Sequence, residues 1–302
     1  MLRPTGAALG LLALLALPAA AQKPATRPEA GPEAPAPQDD GVLSFDDIPW
    51  EQGPVLGDLG AEAEVKVPEG CLFTRGKGVG MFMELTENTT SPNERGVVYC
   101  EVQQDTSSSG WFVVFSYDES GYVKDDERDK LDGDAILKSL REAQDAGNAV
   151  RRERGFGTLT VDGWAVAPFY DAETNNLTWA TRISASDGGR SINHSVRLLG
   201  RGGVMNVDLV AGPDQYEQVR PVFASMVGGF TFKGGHRYAE WRSGDKVAEY
   251  GLTALVAGGG VALAAKSGLL AKFWKLIVAG FAAVAAGFRK LFGKSEEKQP
   301  SA

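Results

Sequence analysis

The sequence predicts an α+β fold: an antiparallel sheet with two main helices, followed by a C-terminal transmembrane helix. Three observations predict it. Short β-branched and aromatic runs recur between Asn- and Gly-bearing turns. Two longer stretches switch to an apolar period of three to four. Near the end, Val247 to Ala265 forms an apolar run of 19 residues, with one acid, Glu249, near its start.

The chain opens on Arg3 and an apolar run, Ala7 to Leu17, followed by Ala19-Ala20-Ala21. This reads as a secretory signal over 1–21, cleaved near Ala21, because the run is shorter than the ~20 residues a span needs. Residues 22–44 include "QKPATRPEAGPEAPAPQDDG", a Pro- and Ala-rich linker with no apolar period. An acidic α+β domain then occupies 45–245.

Within that domain, "AEVKVPEGCLF" reads as a strand broken by a Pro-Glu-Gly turn. "GMFMELTEN" fits a short helix, although Gly76 to Gly80 just before it is poor in helix formers. "RGVVYCEVQ" and "WFVVFSYD" read as paired strands. "LTVDGWAVAPFYD", "NLTWATRIS", "INHSVRLLG" and "VMNVDLVAG" form a meander, turned at Thr174-Asn175-Asn176, Asp187-Gly188-Gly189 and Arg201-Gly202-Gly203. "PDQYEQVRPVFASMVGG" is a helix with Pro213 near its first turn, and "FTF" a last strand. The count is six to eight strands. The late order of meander, helix and short strand resembles Mog1 and PsbP-like proteins, an analogy of fold that carries no function.

Between Asp118 and Asp134 lie eight carboxylates: Asp118, Glu119, Asp125, Asp126, Glu127, Asp129, Asp132 and Asp134. Oxygen ligands at this density suit calcium. The loop spacing fails, because a Gly133 at position 6 puts Arg128 and Lys130 at positions 1 and 3. A capped helix explains more. Ile136, Leu140, Ala143, Gly147 and Val150 share a face, with Leu137 beside them. Asp132 or Asp134 serves as N-cap, and Arg151, Arg152 and Arg154 close the C-terminal end.

Cys71 and Cys100 are the only cysteines. In an exported chain they read as a disulfide, the alternative being two separately buried thiols. His194 and His236 have no zinc spacing, and the chain lacks nucleophile-elbow and P-loop motifs. No catalytic residue, cofactor or metal is assigned. The formal net charge of -8 divides unevenly. From Lys246 onward there are 8 Lys/Arg and 3 Asp/Glu, or +5, which leaves 23 against 36, or -13, before it. An acidic body argues against nucleic acid, and a basic tail beside apolar runs points to a lipid bilayer.

The transmembrane helix is placed at 246–266, where 19 apolar residues would reach about 28 Å. Ala254, Gly258 and Ala262 fall four apart, a small-residue face for another membrane protein or a second copy. Lys266, Lys272 and Lys275 then interrupt, and Arg289 and Lys290 follow a second apolar run, Leu276 to Phe288. One span with a basic, partly membrane-embedded tail over 267–302 keeps these cations on one side; a hairpin of two spans, or a core helix hairpin of a soluble protein, is the alternative.

"SYDESGYVKDDE", "VDGWAVAPFYDAETNNLTWA", "SVRLLGRGGVMNVDLVAG" and "GHRYAEWRSGDKVAEYGLTALVAGG" together resemble a bacterial family of exported, membrane-anchored proteins known only as a domain of unknown function. The resemblance implies a cell-membrane protein with its main domain on the periplasmic or extracellular side. It implies no activity, cofactor or catalytic residue. The function expected is a non-enzymatic accessory that binds a partner. A metal-dependent hydrolase using the acidic cluster, and a small transport subunit, are the alternatives.

Overall fold

The computed structural model describes residues 43–104 and 107–256. Its larger sheet has eight antiparallel strands. The hairpin of β5 (Glu94–Gln104) and β6 (Ser107–Asp118) forms one half with β4 (Cys71–Thr74) and the two-residue β1 (Glu51–Gln52). The meander β7 (Leu159–Asp171), β8 (Asn176–Ala185), β9 (Arg190–Leu199) and β10 (Val204–Ala211) forms the other. β10 returns beside β6, pairing Val207 with Phe115, so the strand order is β1-β4-β5-β6-β10-β9-β8-β7. The meander turns where Asn and Gly predict. Asn175 takes the left-handed conformation at φ 55° between β7 and β8, a region that Asn tolerates better than most residues.

A second sheet of three strands, in the order β11-β3-β2, combines β2 (Val55–Asp58), β3 (Ala63–Val67) and β11 (Phe230–Phe232). The single sheet of six to eight strands expected from sequence is therefore corrected, among the described residues, to eleven strands in two sheets. β1, β2 and β11 are two to four residues long, too short to display a period. "AEVKVPEGCLF" splits at its turn, and its halves join different sheets.

The alternation of β6 sorts the two faces of the large sheet. Trp111, Val113, Phe115 and Tyr117 point into a dry core with the small sheet and α3 (Tyr216–Gly228), which contributes Val219, Phe223 and Met226. α3 begins at Tyr216, with Pro213 just before it. Phe73 bridges the sheets in this core. A Cβ on Gly96 would lie 2.7 Å from its ring, and one on Gly57 3.0 Å, so both backbones need glycine to close on it. Cys71 and Cys100 sit opposite each other on β4 and β5 and are joined by a disulfide, with Cα atoms 4.4 Å apart. Closing a loop of 29 residues stabilises by about 3–4 kcal/mol on the chain-entropy model.

The opposite face is covered in patches. α1 (Lys77–Leu85) packs Val79, Phe82 and Met83 on Val97, Phe112 and Val114. It runs through the glycines that sequence propensity disfavours. At Gly78 a Cβ would fall 2.0 Å from the Thr74 hydroxyl, so close packing overrides propensity there. α2 (Gly133–Glu153) lies against β7, and Asp132 caps it by accepting from the Asp134 and Ala135 amides at 3.1 and 3.0 Å. Its buried positions are Ile136 and Asn148, whose amide exchanges hydrogen bonds with the backbone of Leu159. Val150, expected on the apolar face, is instead 42% exposed. Asn148 takes the contact because the helix docks on the polar backbone of the sheet's edge strand.

The fold also runs past the boundary expected at 245. Residues 246–256, the first part of the expected transmembrane helix, lie on the body. A short helix, α4 (Leu252–Val256), buries Leu252, Leu255 and Val256 beside Val123, Ile136, Leu177 and Trp179. An apolar run looks the same whether lipid or a protein core covers it. Among the described residues no helix is long and apolar enough to cross a membrane. Gly258, Ala262, Lys266, Lys272, Lys275, Arg289 and Lys290 lie outside the described residues, and Ala254 is half-buried in α4.

Candidate functional site

The acidic stretch after β6 meets the chain's last described segment, 236–256, in a clamp. Backbone forms its frame. The Tyr122 amide donates to the Lys246 carbonyl at 2.8 Å and the Ala248 amide to the Tyr122 carbonyl at 2.9 Å. A second bridge pairs Gly200 with Arg237, where the Arg201 amide donates to the His236 carbonyl at 2.8 Å.

Side chains lock the frame. Arg201, in the β9–β10 turn, holds both oxygens of Asp245 at 2.7 and 2.8 Å. The fork matches a carboxylate's geometry. The Arg242 amide adds a third bond, and Arg201 first, then this amide, hold the Asp245 pKa down to about 2. The Tyr250 hydroxyl donates to Asp118 at 2.6 Å and the Tyr238 hydroxyl to the Val123 carbonyl at 3.0 Å. Burial, and then the Asp118 carboxylate, push the Tyr250 phenol far up, so it keeps its proton and remains a donor. The Lys246 ammonium donates to the Glu119 carbonyl at 3.0 Å, and the Thr253 amide to Glu127 at 3.2 Å. Aromatic rings finish the contact: Tyr122 stacks on Tyr238 with centroids 4.5 Å apart and lies 5.3 Å from Trp241.

Five of the eight carboxylates are drawn to separate tasks rather than gathered. Asp118 and Glu127 serve the clamp, Asp132 caps α2, and Asp125 and Asp129 pair with Arg128. Among the described residues no three His, Cys, Asp or Glu side chains converge as a metal site.

A second polar group lies on the same face of the large sheet. Ser195 donates to Asp208 at 2.6 Å, Arg197 donates to the same oxygen at 2.9 Å, and the Arg197 guanidinium lies over Trp179 at 4.7 Å. Ser195, Asp208 and the neighbouring His194 invite comparison with a hydrolytic trio. However, adjacent residues of a strand face opposite ways. His194 points into the dry core, where its Nδ1 meets the Tyr216 hydroxyl at 3.0 Å and Phe223 packs on its ring. Burial, with Arg220 beside it, pushes its pKa down to about 4, so it is neutral at pH 7. His236 lies in the loop that passes the second bridge.

Sequence reasoning missed Arg201, Asp245, Tyr238 and Tyr250. For Tyr238, Asp245 and Tyr250 a signal was present in "RYAEWRSGDKVAEYGL", a dense alternation of rings and charges that is wasteful in a bare linker; for Arg201, and for which groups pair, there was none.

A family model described as "Protein of unknown function (DUF2167)" matches residues 52–288. No curated protein matches the chain. Among solved structures, the solution structure of cyanobacterial PsbP (CyanoP) from Synechocystis sp. PCC 6803 is 16% identical, covering 67% of this chain and 100% of that one, with a TM-score of 0.37. A superposition that loose carries no argument.

Proposed function

The chain belongs to that family of unknown function, and from its own residues we propose that it is a membrane-anchored protein of the bacterial envelope. It holds its acidic domain in fixed orientation on a C-terminal membrane segment and presents it to a partner, without chemistry of its own. The clamp carries this reading. A domain hanging on a passive tether has no use for a bidentate ion pair, two backbone bridges and a ring stack on the approach to its anchor. The exported location rests on the N-terminal signal pattern, and the anchor on the apolar runs 257–265 and 276–288 with the lysines around them, each run shorter than the ~20 residues a span needs, so that the two together embed the segment.

Mild detergent extraction of the full chain, followed by co-purification, tests the reading. A membrane protein is expected to accompany it and to be lost with Gly258→Leu, which crowds the small residues Gly258 and Ala262 that follow α4. Release of the chain from membranes by alkaline carbonate would sink the anchor. An anchored chain that purifies alone after cross-linking would sink the accessory role.

A further inference from the structure

The clamp leaves one part of itself uncovered. Trp241 is 41% exposed and Val247 38%, large apolar groups on the otherwise charged surface of segment 236–256. They belong to one patch: Tyr122 lies 5.3 Å from the Trp241 ring and forms the backbone bridge to Val247. Tyr122 also stacks on Tyr238, which packs against the same apolar cluster as α4. The indole is thus held outward on a rigid base rather than left on a free loop. Arg237 and Arg242 are exposed beside it on long apolar stems.

The chain itself indicates what covers this patch. Val256, the last described residue, is nine positions beyond Val247. After it come the apolar runs 257–265 and 276–288, divided by Lys266, Lys272 and Lys275. Trp and Tyr rings with an apolar body and a polar edge settle at the headgroup layer of a bilayer, and Arg extends its charge past them to the phosphates. Segment 233–256 carries Lys233, Arg237, Arg242 and Lys246 against Glu240, Asp245 and Glu249, so it is slightly basic on an acidic body. We propose that Trp241, Val247 and Tyr122, flanked by Arg237 and Arg242, seat the domain in the headgroup layer of the membrane that anchors it. The proposal rests on the anchored reading above and adds an orientation: this face down, with the dry core and α3 away from the lipid surface.

Brominated lipids test it in the full chain reconstituted into phosphatidylcholine–phosphatidylglycerol vesicles. Trp274 lies in the tail, so its signal is isolated as wild type minus Trp274→Phe. The Trp241 signal is isolated as Trp274→Phe minus the Trp241→Phe/Trp274→Phe double variant. Phenylalanine keeps a ring beside Tyr122, and an unchanged thermal midpoint confirms the fold.

The Trp241 signal is expected to lose about half its intensity with bromines near the headgroups and less with bromines at the bilayer centre. A Trp241 signal untouched by bromine, while the Trp274 signal is quenched, overturns the seating and leaves the anchor standing. Trp241 shielded from both bromine and aqueous iodide places a protein on the patch and overturns the lipid assignment. If neither signal is quenched, the anchored reading falls and takes this one with it.

Discussion

The two faces of the large sheet are held by different physics. On the face toward α3, almost every contact is apolar: Phe73, Trp111, Phe115, Met205 and Phe223 are essentially without solvent. On the other face, smaller apolar patches under α1, α2 and α4 are separated by hydrogen-bonded polar groups, and the C-terminal segment is fixed by directional contacts. Dispersed apolar burial supplies most of a fold's stability, whereas oriented hydrogen bonds supply little net energy but specify geometry. The dry face therefore keeps the domain folded, and the clamped face fixes which way the chain leaves it.

The largest break in this contrast is expected at Phe73. Its ring fills the gap between the two sheets and is packed by the backbone of Gly57 and Gly96, so nothing nearby can collapse into a void. Phe73→Ala is expected to cost about 3–5 kcal/mol, read as a shift of the urea midpoint at unchanged slope. A loss below about 1 kcal/mol would mean that the small sheet moves in to close the cavity, and that the two sheets are not rigidly joined.

Acid tests the dry face by a different route. His194 is neutral when folded, with a pKa near 4 against 6.5 when exposed. Between those values the unfolded chain binds more protons, so stability falls as pH falls from 6.5 to 4 and is fully present above 6.5. At about 1.4 kcal/mol per unit, the loss is about 3 kcal/mol. Asp245 stays ionised in the folded domain, its pKa being held to about 2, and its unfolded value of 3.8 lies below this window, so the Arg201 ion pair adds slope mainly below about pH 4.5. His194→Phe should flatten urea midpoints measured from pH 7 to pH 4.5. An unchanged slope in that variant would move the titration to another group.

How much of this was legible in the sequence follows the same division. The strands of the meander and the β5–β6 hairpin, the helix capped by Asp132 and the turn at Asn175 are local: period, cap and turn chemistry lie within a few residues. The small sheet was legible only in pieces: β3 and β11 read as strands, but β2 is too short to show a period, and nothing local says that β11 returns from the far end of the domain to pair with β3. The clamp was illegible for a related reason. Tyr250 meets Asp118 across 132 positions and Arg201 meets Asp245 across 44, and no local rule pairs them. The acids were visible as a cluster, whose spacing failed for calcium and suited a capped helix, but their distant partners were not visible. Leu252 and Val256 were misassigned because apolarity does not record what lies on the other side.

The smallest effect should be the most telling about the clamped face. Tyr250→Phe keeps the ring and removes only the hydroxyl that donates to Asp118. A hydrogen bond to a carboxylate at a half-buried site is worth about 1–2 kcal/mol, too little to shift global unfolding far. Local opening is a better reading of it, because segments open at their own free energies. The Ala248 amide, which donates to Tyr122 across the bridge, should exchange with solvent about tenfold faster. The amides of β6 in the dry core should not change. Equal acceleration of both would mean that the clamp opens only when the whole domain unfolds, so that the two faces form one cooperative unit. If Ala248 alone is unaffected, the backbone bridges hold the segment without help from Tyr250, and the side chains serve to select its path rather than to secure it.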